Sequence, residues 1–379
     1  MARVAHPQLF LLPEDLPEER EDRLIVLDKI HAVMIELTTS LANGSPPTLT
    51  GIKRRSGGNM TLVLDDSNGT VRLMSSNANL DANKSLKSMT SVLLVMQYSA
   101  RLLRANKTCT QRELYYTFPS HFQTQAQCNE AILDCASLLG VDRERLNLRA
   151  SSRGLYGGCI RLWEPGLGYV DGTMVRDALS ISSHWITNPA MTVDVTNARF
   201  ILVVEKEGIF GRLVEDKFWN RLPCIIITGR GFPDLATRAM VHQLSKRFNL
   251  PCFGLADCNP FGLALLLTYK LGSVRMGSKF ICDLKWVGLR PSQLDQLSLP
   301  SEVMQTLTDR DRSRIDSLMT LLQTSEEPFA KAYCDELQLI KTKQKKCELE
   351  ALVSRAYDLS LISTLSDYLE RQITQRKYI

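Results

Sequence analysis

The chain has 379 residues, of which 44% are hydrophobic and 23% charged, with a formal net charge of +5. That length allows two or three domains with cores of their own, the composition is that of a globular protein, and no apolar run reaches the roughly 18 residues of a membrane span. Ten cysteines with no CxxC pair and five histidines without paired spacing exclude a zinc motif, and the absence of a GxxxxGK[ST] loop means that any ATP dependence comes from a partner.

Residues 1–20 carry Pro, Leu and several acids without a signal-peptide pattern and read as a flexible leader. Leu27, Ile30, Met34, Leu37 and Leu41 then recur at three- and four-residue steps, which predicts a helix over 21–43 with one apolar stripe. Asn43-Gly44-Ser45-Pro46-Pro47 stops it. The helix suits docking by another chain, or packing on its own domain. A Gly/Ser/Pro-rich loop with the basic run Lys53-Arg54-Arg55 follows, and residues 1–82 form leader, helix and linker.

A second helix is expected over 84–104, on Leu86, Met89, Leu93, Met96 and Leu103. Next comes Cys109-Thr110-Gln111-Arg112-Glu113-Leu114-Tyr115-Tyr116, in which Thr110 and Glu113 have capping-box spacing. Arg112 and Tyr116 stand four apart, so a guanidinium and a phenol share one helix face. A guanidinium binds phosphate through a fork of N–H donors, and a phenol can attack phosphorus. A third helix is predicted over 121–139, closed by Gly140. Two β-like runs, Leu146–Ala150 and Leu155–Trp163, flank the turn signal Ser151-Ser152-Arg153-Gly154. Three helices followed by a β-hairpin predict a winged helix-turn-helix domain over 83–165. In it Arg143, Arg145, Arg149 and Arg153 are candidate phosphate contacts.

Residues 166–197 read as a linker. From Arg199 onward the pattern changes: apolar runs at Phe200–Val204, Pro223–Thr228, Pro251–Ala256 and Lys279–Val287 alternate with helical stretches. Such alternation predicts a parallel α/β domain over 198–379, with C-terminal helices at Pro300–Gln323 and Lys345–Gln375 in which no chemistry is apparent. Ligand sites of open α/β sheets lie at the carboxyl ends of the strands. Glu205 follows the first run and Asp257 the third, so the two carboxylates are expected to meet at one edge. Hard oxygen ligands of that kind suit Mg²⁺. Gly229-Arg230-Gly231 after the second run adds a candidate phosphate contact at Arg230.

Four motifs carry a family resemblance: Arg112-Glu113-Leu114-Tyr115-Tyr116, Val204-Glu205-Lys206-Glu207-Gly208-Ile209-Phe210, Gly231-Phe232-Pro233-Asp234 and Asp257-Cys258-Asn259-Pro260-Phe261-Gly262. In this order they resemble the A-type subunit of topoisomerase VI (the type IIB topoisomerase family) and its meiotic relatives, strongly over about 85–290. Ala150-Ser151-Ser152-Arg153-Gly154-Leu155 and the Asn of the acidic motif look most like the second meiotic paralogue. The resemblance implies a winged-helix tyrosine domain and a Toprim metal domain. It implies Tyr116 as nucleophile, Tyr115 as packing neighbour, and Glu205 and Asp257 as Mg²⁺ ligands. Asn259 stands where topoisomerases carry a second Asp, which puts a second metal in doubt.

The implied activity is a Mg²⁺-dependent DNA transesterase that makes meiotic double-strand breaks through a 5′-phosphotyrosyl link, with Arg112 stabilising the charge. The implied partners are duplex DNA, a second A-type subunit (identical or paralogous), and a B-type ATPase subunit docked on the 21–43 helix; the implied location is the nucleus. The competing readings are a topoisomerase that reseals its cut, a non-catalytic DNA-binding paralogue and a hydrolytic nuclease. The intact Arg112, Tyr116, Glu205 and Asp257 speak against the non-catalytic reading, and the tyrosine helix against hydrolysis. Asn259 and a leader of about 80 residues favour the meiotic type.

Overall fold

The computed structural model describes residues 17–43, 63–65, 70–72, 82–149, 152–164, 168–174, 178–187, 192–195, 197–272, 280–297, 299–354 and 364–379. The Lys53-Arg54-Arg55 run and the pair Ala150 and Ser151 lie outside them. The chain divides into two compact units, Met1–Ser151 and Ser152–Ile379.

The first unit is helical. Pro17–Ala42 and Ala82–Ala105 are its long helices, followed by Gln111–Thr117 and Gln125–Leu139. The first helix buries Val26, Leu27, Ile30 and Leu37 in the unit's own core, together with Met96, Leu103, Leu114, Phe122 and Ile132. Met34, expected on the apolar stripe, is exposed, as are Leu24, Ile25 and Ile35. Val26 is fully buried and Val33 packs partly against the same core, so the buried stripe runs through 26, 30, 33 and 37, rotated slightly from the expected one. Thr124 caps the last helix by accepting from the Gln127 amide, and Gly140 ends it at φ 59°, a left-handed conformation that favours glycine.

The expected β-hairpin of the winged domain does not form. Leu148–Arg149 pairs in parallel with Cys109–Thr110, so Arg149 stands opposite Thr110 at the start of the tyrosine helix. Leu155–Gly158 belongs to the second unit, antiparallel to Cys224–Thr228. Both runs are β-prone, but each finds a different edge to pair with. Gly154 makes the second of these joints possible, since a Cβ there would collide with Thr237 Oγ1.

The second unit is built on a six-stranded sheet. Phe200–Val204 is central, parallel to Cys224–Thr228 on one side and to Cys252–Leu255 on the other, with Leu284–Gly288 beyond the latter. The sheet is mixed where an all-parallel one was expected, because Leu155–Gly158 and Leu179–Ser180 add antiparallel strands at one edge. The expected linker also contributes the Gly168–Asp171 and Val193–Asp194 strands, which pair with Arg161–Glu164. Period-two alternation sends Ile201, Val203, Ile225 and Ile227 into one core and Phe200, Leu202, Val204, Cys224 and Ile226 into the other. Both faces of the sheet are therefore covered, as continuous apolar runs require.

The C-terminal region is helical at Asp309–Gln323 and Thr364–Thr374, inside the two expected stretches, and also at Ala330–Lys343 between them. Each expected stretch begins differently, since Met304–Thr306 and Lys345–Cys347 are strands paired antiparallel. Cys258 and Cys347 form a backbone bridge that brings this strand to the end of the Cys252–Leu255 segment.

Candidate active site

The tyrosine helix starts where its capping box places it. Thr110 Oγ1 accepts from the Glu113 amide at 3.1 Å, and Glu113 Oε2 accepts from the Thr110 amide at 2.5 Å. The Thr110 amide first, and its hydroxyl second, hold the Glu113 carboxyl below its ordinary range. Leu114 is fully buried, which fixes the rotation of this short helix. Tyr115 consequently packs against the core, whereas Tyr116 is 60% exposed. The two rings lie 5.1 Å apart between centroids. The Arg112 guanidinium carbon stands 5.8 Å from the centre of the Tyr116 ring, so phenol and guanidinium do share a face.

The four candidate arginines have separate fates. Arg143 is paired with the buried Glu144, and Arg145 bonds Asp22 at 2.6 Å. Arg149 is half-buried beside the cap of the tyrosine helix. Arg153 is exposed in the second unit, where its amide donates to Asp234 Oδ2 at 2.7 Å.

The acidic site follows from strand order. Phe200–Val204 and Cys252–Leu255 are neighbours with Val204 opposite Leu255, so the next residues of both leave at the same edge. Glu205 Oε2 accepts the Asp257 amide proton at 2.8 Å. Burial, and then the charge of Asp257, push the Glu205 carboxyl up to about 7; burial also raises Asp257. Asp257 is 4% exposed and accepts the Leu349 amide at 2.8 Å. Gly262 faces both acids: a Cβ there would meet the Asp257 carbonyl at 2.5 Å and Glu205 Oε2 at 3.1 Å. Asn259 Oδ1 accepts from the Phe261 and Gly262 amides at 2.9 and 2.8 Å as the cap of the Pro260–Leu271 helix. Arg230 sits in a left-handed turn at φ 54°, with its side chain bonded to Glu207 at 2.8 Å. The Gly231 amide donates to the Glu205 carbonyl, which ties this turn to the acidic edge.

Residues 348–350 carry no motif that marks them in the sequence as part of this site. Lys206 bonds Glu348 and Glu350 as well as Asp257. The only local signal is a lysine at a helix N-cap, where the helix dipole disfavours positive charge. Among the described residues no third His, Cys, Asp or Glu joins Glu205 and Asp257 in a metal-binding cluster. The half-buried Glu205 and buried Asp257 carboxylates at one sheet edge, with a glycine beside them, still fit a hard divalent cation that keeps water and phosphate ligands.

Residues 200–373 match the family model for the Toprim domain of topoisomerase 6A/Spo11, and residues 87–148 that for type IIB DNA topoisomerase. The chain is 37% identical to meiotic recombination protein SPO11-2 of Arabidopsis thaliana over 78% of its length and 76% of that protein's. It is 34% identical to SPO11-2 of Oryza sativa subsp. indica over 93% and 92%, and 33% identical to SPO11 of Mus musculus over 91% and 85%. The chain belongs to the topoisomerase 6A/Spo11 family. Members are topoisomerase-like DNA-cleaving enzymes, and the four parallel strands between Phe200 and Gly288, with their acidic edge, lie in the Toprim domain of this one. Among the described residues no helix is long and apolar enough to cross a membrane.

Proposed function

We propose that this member of the Spo11 family breaks duplex DNA by transesterification and so starts meiotic recombination. The names of its relatives support the meiotic role. The observation that carries the chemistry is the exposed Tyr116 phenol beside Arg112 on a capped helix anchored by the buried Leu114. The phenol oxygen forms a bond to phosphorus as the bond from phosphorus to the 3′ oxygen breaks. The product is a 5′-phosphotyrosyl link and a free 3′-hydroxyl, and no water is consumed. A phenol with an ordinary pKa near ~10 needs help to ionise, and the Arg112 guanidinium stabilises the phenolate and the charge on the phosphoryl oxygens. Glu205 and Asp257 would hold a divalent cation, most simply Mg²⁺, which when bound would supply positive charge to the scissile phosphate and the leaving oxygen.

The arrangement of partners follows the same chemistry. One tyrosine cuts one strand, so a double-strand break takes two A-type subunits related by a two-fold axis, identical or paralogous. Arg149, Arg153 and Arg230 are phosphate contacts that set position and not sequence. The Leu24, Ile25, Met34 and Ile35 face of the first helix receives a B-type subunit, which brings the ATP hydrolysis of this enzyme class; the protein acts in the nucleus. The winged-helix kinship of the tyrosine unit, without the expected hairpin, is part of the same reading.

The test is the polarity of the link. Duplex labelled on either side of the break is incubated with the protein, a B-type partner and Mg²⁺, then denatured. Label joined through the 5′ phosphate stays on the protein. Retention of the 3′ side, or cleavage with no label retained, contradicts the reading.

A further inference from the structure

Lys206 breaks a local rule. It occupies the N-cap of the Glu207–Glu215 helix and makes no side-chain cap bond there. A positive charge at a helix N-terminus is unfavourable, so something else must hold it in place. The surroundings supply the reason. Its ammonium lies 3.2 Å from Asp257 Oδ2, 3.1 Å from Glu348 Oε2 and 2.6 Å from Glu350 Oε2. Two of these acids come from a segment more than 140 residues further along the chain.

The segment is stitched to the acidic edge in two other ways. Cys258 and Cys347 exchange backbone hydrogen bonds at 2.9 and 3.1 Å, and the Leu349 amide donates to Asp257 Oδ1. Asp257 is thus held from two sides, by Lys206 on one oxygen and Leu349 on the other. Glu205, Asp257, Glu348 and Glu350 leave the edge strongly negative, with one ammonium among them.

We propose that Lys206 is a positioning residue of the acidic site: it draws Asp257 and the 348–350 segment together, and its charge is what an entering divalent cation competes with. The ammonium keeps the buried Asp257 carboxylate and the half-exposed Glu348 and Glu350 assembled before a cation arrives, and the two glutamates retain it afterwards. The inference rests on the reading that Glu205 and Asp257 take a divalent cation.

The test compares Lys206→Gln with Lys206→Arg in the full chain, without DNA. Mn²⁺ binding is followed by titration calorimetry or by the spectrum of the free ion. Removing one unit charge a few ångströms from the site is expected to tighten Mn²⁺ by about tenfold in Lys206→Gln, while Lys206→Arg stays near wild type. A site that Lys206 merely scaffolds would bind Mn²⁺ more weakly in Lys206→Gln. Equal or weaker binding relative to Lys206→Arg overturns the competition. Amide exchange at Leu349, measured in EDTA, tests the tether without any metal. Faster exchange in Lys206→Gln than in Lys206→Arg supports it, and equal exchange overturns it. If the wild-type chain binds no Mn²⁺, the cation reading and the competition fail together, and exchange at Leu349 alone decides the tether.

Discussion

Glu205 accepts a hydrogen bond from the backbone amide of Asp257 at 2.8 Å, although the two residues lie 52 positions apart. The bond locks together the carboxyl ends of two neighbouring parallel strands. It also concentrates two acids in a buried corner, with consequences for pH.

With its carboxyl raised from 4.5 to about 7, Glu205 keeps a proton in the folded state that the unfolded chain has released. Below about pH 4.5 both states are protonated and the group contributes no pH dependence. Between 4.5 and 7 stability falls as pH rises, by an amount on the order of 3 kcal/mol, and the fall is complete above 7. Denaturant midpoints of the protein in EDTA should therefore drop over this window. Glu205→Gln should show a shallower slope, the remainder coming from Asp257, which is raised in the same direction. A slope unchanged by Glu205→Gln would contradict the assignment.

Gly262 has no room for a side chain, with the Asp257 carbonyl 2.5 Å from a built Cβ. Gly262→Ala should cost about 1–3 kcal/mol, as overpacking does, and weaken divalent-cation binding because Glu205 is pushed as well. Unfolding curves and a Mn²⁺ titration read the two effects. A neutral substitution would show that the corner is looser than described.

Asn259 serves the helix and not the acidic pair. Asp is as good an N-cap as Asn, so Asn259→Asp should change stability by less than about 0.5 kcal/mol. The added charge beside the edge should still tighten Mn²⁺ binding. A large loss of stability would mean that the Asn side-chain amide makes bonds the cap geometry does not require.

Thr110→Ala removes the acceptor for the Glu113 amide and should cost about 1 kcal/mol. Its effect on DNA attachment should exceed its effect on stability, because the helix it starts is only seven residues long and carries Tyr116. Equal small effects on both would separate the cap from the site.

Features that depend on near neighbours were legible in the sequence. The Thr110–Glu113 box, the Arg112–Tyr116 spacing and the strand ends at Glu205 and Asp257 all follow from local periodicity. Pairing partners were not. Leu146–Ala150 and Leu155–Trp163 looked like one hairpin because a turn signal separates them, yet strand pairing depends on which edges are free in three dimensions. The acidic segment at Glu348–Glu350 was invisible for the same reason, since its contacts with Lys206 and Asp257 join residues 92 to 144 positions apart.

The most direct measurement is covalent trapping with paired phenylalanine variants. Labelled duplex DNA is incubated with the protein, a B-type partner and Mg²⁺, denatured with detergent, and assayed for label on the protein. Wild type and Tyr115→Phe should retain label, with Tyr115→Phe within about 1 kcal/mol of wild-type stability because its ring packing is kept. Tyr116→Phe should retain none while remaining folded. Label retained by Tyr116→Phe, or lost in Tyr115→Phe alone, would contradict the assignment of the exposed phenol as the nucleophile.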